Sequence, residues 1–182
     1  RFSRTDLEGS AERDLPKHRV PLHMIADGKA LLALLPPESA ANEGDPPALS
    51  LRVARYNGRE WSTIADCDIA ERPLLSGRTR ARILLVGDKL LLAWLAADDN
   101  IYVAWRPLSE GNWTRGSPIA VPSIAAYWLI DVNSSPTLVA ATTSDVGGEQ
   151  LRGWRLASLE SLEWRPIQWS LAVGDAIRVQ KI

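Results

Sequence analysis

The chain has 182 residues, 46% of them hydrophobic and 24% charged, which fits one ordinary globular domain, or at most two small ones, and excludes a disordered chain. Lys and Arg total 21 against 22 Asp and Glu, and a net charge of −1 gives no electrostatic reason to expect nucleic acid or an anionic membrane as partner. One cysteine, Cys67, excludes an internal disulfide framework and a cysteine-rich zinc site.

A chain of this size buries about 70% of its unfolded surface, so a core is attainable without disulfides or metal. The aromatic content is concentrated in eight Trp, against one Phe and three Tyr, while 12 Pro and 12 Gly punctuate the chain at short intervals. That punctuation favours many short elements over a few long helices. The first residue is Arg1. The expectation from that start is removal of an upstream part or membership of a longer polypeptide, and it favours an extracytoplasmic or secreted location. The lone cysteine would equally suit a reducing cytosol. No apolar stretch in the first twenty residues resembles a signal peptide. No uninterrupted apolar run reaches the roughly 18 residues a membrane helix needs, so membrane insertion is not expected.

Taken in chain order, Arg1 to Pro16 is polar and charged, with no strand pattern. His18 and His23 follow, five apart, and on a strand they would point to opposite faces, so no shared metal site is expected. Ile25 to Leu35 (IADGKALLALL) splits two apolar stretches at Asp27-Gly28, the form of strand, tight turn, strand. The segment PPESAANEGDPPA, Pro36 to Ala48, is a stiff acidic insertion, read either as a solvated spacer or as a place of partner contact. Leu51 to Trp61 (LRVARYNGREW) supplies a third strand and the start of a fourth. Asp66 and Asp68 flank Cys67, which should raise its pKa and blunt its reactivity. Arg78, Arg80 and Arg82 alternate with Thr79 and Ala81; as a strand they would line one face and hold a carboxylate or phosphate, or serve as a charged edge.

The second unit then repeats the first. Strands are expected at about Ala81–Val86, Leu90–Ala97, Ile101–Leu108 and Asn112–Ile119, joined by Gly87-Asp88-Lys89, Asp98-Asp99-Asn100 and Ser109-Glu110-Gly111. The third unit carries Ile130 to Ala141 (IDVNSSPTLVAA) and Leu151 to Trp164 (LRGWRLASLESLEW). The segments beginning at Leu51, Ile101 and Leu151 start 50 residues apart, and their terminal Trp61, Trp113 and Trp164 are 52 and 51 apart. Gly174 to Ile182 (GDAIRVQKI) looks like the opening strand of a further unit.

A period of about 50 residues, four strands per period and a Trp at the start of the last strand resemble the blades of a β-propeller, of the kelch-length and sialidase-like classes. The resemblance runs from Lys17 to Trp169. It implies an all-β fold: a partial propeller of three four-stranded antiparallel blades (17–70, 78–121 and 123–171), a polar extension over 1–16, and a first strand of another blade over 174–182. The sialidase-type turn Ser-x-Asp-x-Gly-x-x-Trp is not fulfilled. Gly58 to Trp61 keeps only its end, Ser109 to Trp113 shortens it, and Ser158 to Trp164 has no Gly. No sialidase chemistry is therefore carried over.

Trp61, Trp113 and Trp164 read as structural repeat positions filling the wedges between blades, with sugar stacking as the alternative. Trp94, Trp105, Trp128, Trp154 and Trp169 lack that regularity and, with Arg78, Arg80 and Arg82, are the candidates for partner contact. No nucleophile elbow, phosphate loop or dinucleotide fingerprint occurs, and Asp98-Asp99-Asn100 lacks the ligand spacing of a calcium loop. No cofactor or metal is expected. Because three blades leave two open radial faces, the wall must be completed by further sequence, a second copy or another polypeptide. The function expected is a non-catalytic scaffold for protein–protein contact. The alternative is a piece of a glycan-processing or glycan-binding propeller, in which acidic residues such as Asp88, Asp98, Asp99 and Asp131 converge on the central channel.

Overall fold

A computed structural model describes residues 20–28, 30–37, 50–75, 77–143 and 149–168. The fold is all-β, built from three consecutive antiparallel meanders, and corresponds to a partial propeller. The first sheet holds β1 (His23–Asp27), β2 (Ala30–Leu35), β3 (Ser50–Tyr56) and β4 (Trp61–Asp68), hydrogen-bonded in that order. The second holds β5 (Arg82–Val86), β6 (Lys89–Leu95), β7 (Asn100–Pro107) and β8 (Thr114–Arg115), with the short β9 (Ile119–Ala120) also pairing β7. The third holds β10 (Ile124–Val132), β11 (Ser135–Thr143), β12 (Glu149–Ser158) and β13 (Glu163–Ile167).

The first two strands of each sheet are joined by the tightest turns. Val86 pairs Lys89 across Gly87-Asp88, and Val132 pairs Ser135 across Asn133-Ser134. Such two-residue turns need a left-handed backbone to match strand twist. Gly87 supplies φ 60° without a Cβ penalty, and Asn133 and Ser134 supply 54° and 60°.

Adjacent sheets pack face to face. Leu32, Leu34, Leu51, Val53 and Cys67 of the first sheet meet Ile83, Leu90, Leu92 and Trp94 of the second. The second sheet's other face, with Leu91, Leu95, Ile101 and Val103, meets Tyr127, Leu129, Leu138, Ala140 and Leu156 of the third. The middle sheet is thus apolar on both faces, which explains why β6 reads KLLLAWL with no polar alternation. Each fully buried Leu or Ile contributes about 1.5–3 kcal/mol relative to exposure. Backbone approach between sheets gathers at the first strands, β1 against β5 and β5 against β10, so the sheets fan out from a hub these strands line.

The repeated Trp residues pack backward around the fan. Trp113, one residue before β8, lies against the first–second core, and its indole N–H donates to the Asp66 carbonyl of the first sheet at 2.9 Å. Trp164, within β13, packs into the second–third core. Trp61 opens β4 and lies over Ala33, Leu35 and Ala54 on the face of its own sheet that looks away from the second.

Three details differ from the sequence expectation. The fourth strand of the second sheet is interrupted after Arg115, where Gly116 donates back to the Val103 carbonyl and Pro118 offers no N–H; pairing resumes only at Ile119. The arginine stripe is not a strand: Gly77–Thr79 is a 3-10 turn, and β5 starts at Arg82. Cys67 has its thiol pushed up to about 12 chiefly because it is buried, with Asp68 only a minor cause. Residues 1–16, His18, most of the proline-rich insertion, Trp169 and 174–182 lie outside the described residues.

Candidate functional site at the hub

The first strands run from the end where His23, Arg82 and Ile124 begin them to the tight turns at Gly28, Gly87 and Asn133. These two ends differ in charge. At the turn end stand Asp27, Asp88 and Asp131; Asp27 is held by the Arg55 guanidinium at 2.8 Å, and Asp88 and Asp131 are exposed. At the starting end, the described residues flanking the strand starts (20–23, 77–82 and 121–124) contain no carboxylate.

Two side chains organise that starting end. His23 accepts a hydrogen bond at Nδ1 from the Ile83 backbone N–H, 3.2 Å away on β5, tying the first two strands together. Burial, reinforced by the positive charges of Arg82 and Arg80, lowers its pKa to about 4. The ring is therefore neutral near pH 7, and with Nδ1 accepting, its proton sits on Nε2, which is a donor. Arg82 is half-buried, and its Nε is sealed from solvent without a hydrogen-bond partner among the described residues. Burial lowers its pKa, with Arg80 acting in the same sense. Behind it Tyr127 is enclosed between the second and third sheets, its hydroxyl donating to the Ala93 carbonyl at 3.0 Å, and burial raises its pKa. Arg78 and Arg80 are exposed beside this group.

Of the tryptophans expected at a partner surface, Trp94 is turned inward and two others are partly buried. Trp94 is fully enclosed and stacks on Tyr102 with ring centroids 5.7 Å apart, because β6 is buried on both faces. Trp105 and Trp154 pack into the second–third core, with the Lys89 ammonium 4.7 Å from the Trp105 ring. Trp94 is therefore a core residue, while Trp105 and Trp154 are partly buried. Trp128 is half-buried on the face of β10 opposite Tyr127 and Leu129, looking away from the second sheet. The exposed Ile130 and Val132 share that face.

The acidic candidates do not converge. Asp88 and Asp131 belong to the turn end, whereas Asp98 and Asp99 lie in the turn between β6 and β7. The Asp98 carboxylate serves that turn, accepting from Asn100 Nδ2 at 2.9 Å and from the Tyr102 hydroxyl at 2.7 Å, which lowers its own pKa and raises that of Tyr102 to about 12. Among the described residues, no three His, Cys, Asp or Glu side chains come together as a metal site. Sequence reasoning weighed the histidines only as metal ligands and missed His23 as a hub residue. Its one available signal was its place at the start of a repeated first strand.

No family model matches the chain, and no curated protein matches it in sequence. Solved structures of similar course include an exo-β-1,3-galactanase from Phanerochaete chrysosporium with β-1,3-galactotriose. It is 16% identical, with a TM-score of 0.47, over 78% of this chain and 33% of that one. A GH43_1 enzyme from Xanthomonas citri complexed with xylose is 13% identical, with a TM-score of 0.44, over 91% of this chain and 62% of that one. The chain thus spans from a third to about three fifths of the length of these structures. Among the described residues no helix is long and apolar enough to cross a membrane.

The starting end of the hub is rich in donors. Arg82, Arg80, Arg78 and the Nε2–H of His23 offer N–H groups, and among the described residues flanking the strand starts there is no acidic side chain. Such an arrangement can orient an acceptor-rich ligand. Among the described residues at the strand starts there is no carboxylate.

Proposed function

We propose that this chain forms part of the wall of a glycan-binding or glycan-processing propeller, with the sugar seated at the hub end where the first strands begin. The observation that supports it is the donor-rich hub end around His23 and the arginines at the strand starts, since sugar hydroxyls and ring oxygens can accept from them. The chain's share of the work is binding and orientation. Any acid–base pair for hydrolysis comes from the rest of the ring or from the turn-end carboxylates.

The test is titration of the protein with a panel of neutral and acidic oligosaccharides, followed by calorimetry and Trp fluorescence. Saturable binding that weakens in H23A supports the reading. A panel without any binder removes it.

A scaffold for protein–protein contact is the second reading, favoured by one observation: Trp128, Ile130 and Val132 form an apolar strip on the open face of the third sheet, where Ile130 is 40% exposed. By analogy with the two cores inside the fan, the partner there would be another sheet, from a second copy or another polypeptide. An I130K variant is expected to lose assembly while keeping its own fold. Unchanged native mass in I130K would count against a contact there.

A further inference from the structure

Side-chain hydrogen bonds cross the contact of the first and second sheets at both of its ends, and the two ends differ in chemistry. At the rim, the Trp113 indole N–H donates to the Asp66 carbonyl at 2.9 Å, and Arg106 Nη1 donates to the Ile64 carbonyl at 3.3 Å. Neither an indole nor a guanidinium changes its protonation in mild acid. At the hub the Ile83 N–H of β5 donates to Nδ1 of His23, 3.2 Å away at the start of β1. Within its sheet β5 pairs only with β6, so this amide lies on an edge and His23 is the acceptor that answers it.

An imidazole nitrogen accepts only while it carries no proton. Once Nδ1 takes one from solvent, the ring has two donors and no acceptor, and N–H faces N–H across the contact. The new charge would also stand beside Arg82 on β5 and Arg80 just before it, the charged groups that act on the ring. Opposite charge is not at hand. Asp27, the carboxylate of β1, lies at the far end of the strand and is held by Arg55 at 2.8 Å. β2 carries no titratable side chain, and Tyr127 of β10, which acts on Arg82, stays a neutral phenol because burial raises its pKa.

Little else fastens β1. Its residues are half-buried at His23, Ile25 and Asp27 and exposed at Met24 and Ala26, and Ile25 packs against the first–second core from its margin. Farther from the hub the same contact rests on Leu51, Val53 and Cys67, all fully buried.

We propose that the His23–Ile83 bond is an acid-released latch: protonation of His23 frees the start of β1 from β5 and opens the hub edge of the first–second contact, while the rim stays shut. The device stands independently of what the hub binds. Burial and the two arginines hold the latched ring at about 4, and release of β1 returns it to its ordinary 6.5. The open form therefore takes the proton more readily, and acid favours opening. The ratio of open to latched molecules should rise about twentyfold from pH 7 to pH 5.

The test is amide exchange of Ile83, followed by NMR on the whole chain, each rate divided by that of an unstructured amide at the same pH. In the wild type the normalised rate is expected to climb about twentyfold over that range. Cys67 reports on the rim through labelling by a dipyridyl disulfide, a reagent that works in acid. Low urea should accelerate this labelling and leave Ile83 exchange unchanged, because a local opening exposes little surface. H23N places a non-titrating acceptor near the Nδ1 position, and its Ile83 exchange is expected to stay slow and independent of pH. In H23A it should be fast at every pH. Thermal unfolding checks that the variants fold; where they do not, the pH and urea responses of the wild type decide. A flat wild-type profile, the wild-type rise persisting in H23N, or Ile83 exchange that follows urea in step with Cys67 labelling would overturn the latch.

Discussion

His23 makes the clearest titration statement in the molecule. Its pKa is about 4 in the folded chain against an ordinary 6.5, because burial and the Arg82 and Arg80 charges disfavour the imidazolium. The unfolded chain therefore binds more protons between these values, and stability must fall as pH drops through that window. The contribution is full above about 6.5 and spent by about 4. Denaturant midpoints measured across pH 7 to 4 should decline in the wild type and decline less in H23Q. Parallel curves for the two proteins would show that His23 protonates freely in the folded state. Tyr127 gives a second test at this scale. Its hydroxyl sits in a packed place and donates to one carbonyl, so Y127F removes a single buried bond with little change of shape. The expected loss is about 1 kcal/mol in chemical unfolding.

At the scale of elements, the cores between sheets carry the stability. Leu92 is fully buried in the contact of the first and second sheets, and L92A should cost about 2–5 kcal/mol, read as a lower denaturant midpoint. Gly116 tests the break in the fourth strand. A Cβ there would stand 2.7 Å from Leu162 Cβ in the β12–β13 turn, and Leu162 already has a left-handed φ of 51°. Neither backbone can give easily, so G116A should destabilise by about 1–3 kcal/mol through the second–third contact. The strand pattern itself was readable. Gly87-Asp88 and Asn133-Ser134 announce tight turns because so few residues tolerate left-handed backbone, and β6 announces two-sided burial by its unbroken apolar run. The arginine stripe was misread as strand for an understandable reason: alternation over Arg78 to Arg82 satisfies the period of two, but Gly77 (φ 61°) opens a 3-10 turn just before the sheet begins.

At the scale of the whole molecule, Cys67 reports on the fan. It is fully enclosed between the first and second sheets, with its thiol pushed up to about 12. A thiol reagent should therefore stay unreactive with the native protein and label it only where the global unfolding transition begins. Labelling well before that transition would mean that the first sheet separates as an independent unit. The open face of the third sheet belongs to this scale as well. A species at twice the 20.0 kDa chain mass, lost in I130K, would show that two fans meet there.

The sequence by itself determined the class of fold, because a repeat of fixed period with turn residues at its joints leaves antiparallel meanders as the only economical solution. Equal spacing in equal units also put Trp61, Trp113 and Trp164 at or next to the start of the fourth strand of each unit. The direction in which the remaining tryptophans face was decided by tertiary structure alone. Trp94 and Trp105 sit on opposite faces of the middle sheet, yet Trp94 is enclosed and Trp105 packs against the other core, because that sheet has a neighbour on each side. The hub followed the same logic. His23 and Arg82 are 59 positions apart, and the first strands of successive sheets bring them together at the same end of the fan. Charge compensation is a property of three-dimensional neighbours. Nothing along the chain marks Arg82 as an arginine whose Nε is sealed without an acceptor among the described residues, and only the packing of the sheets reveals it.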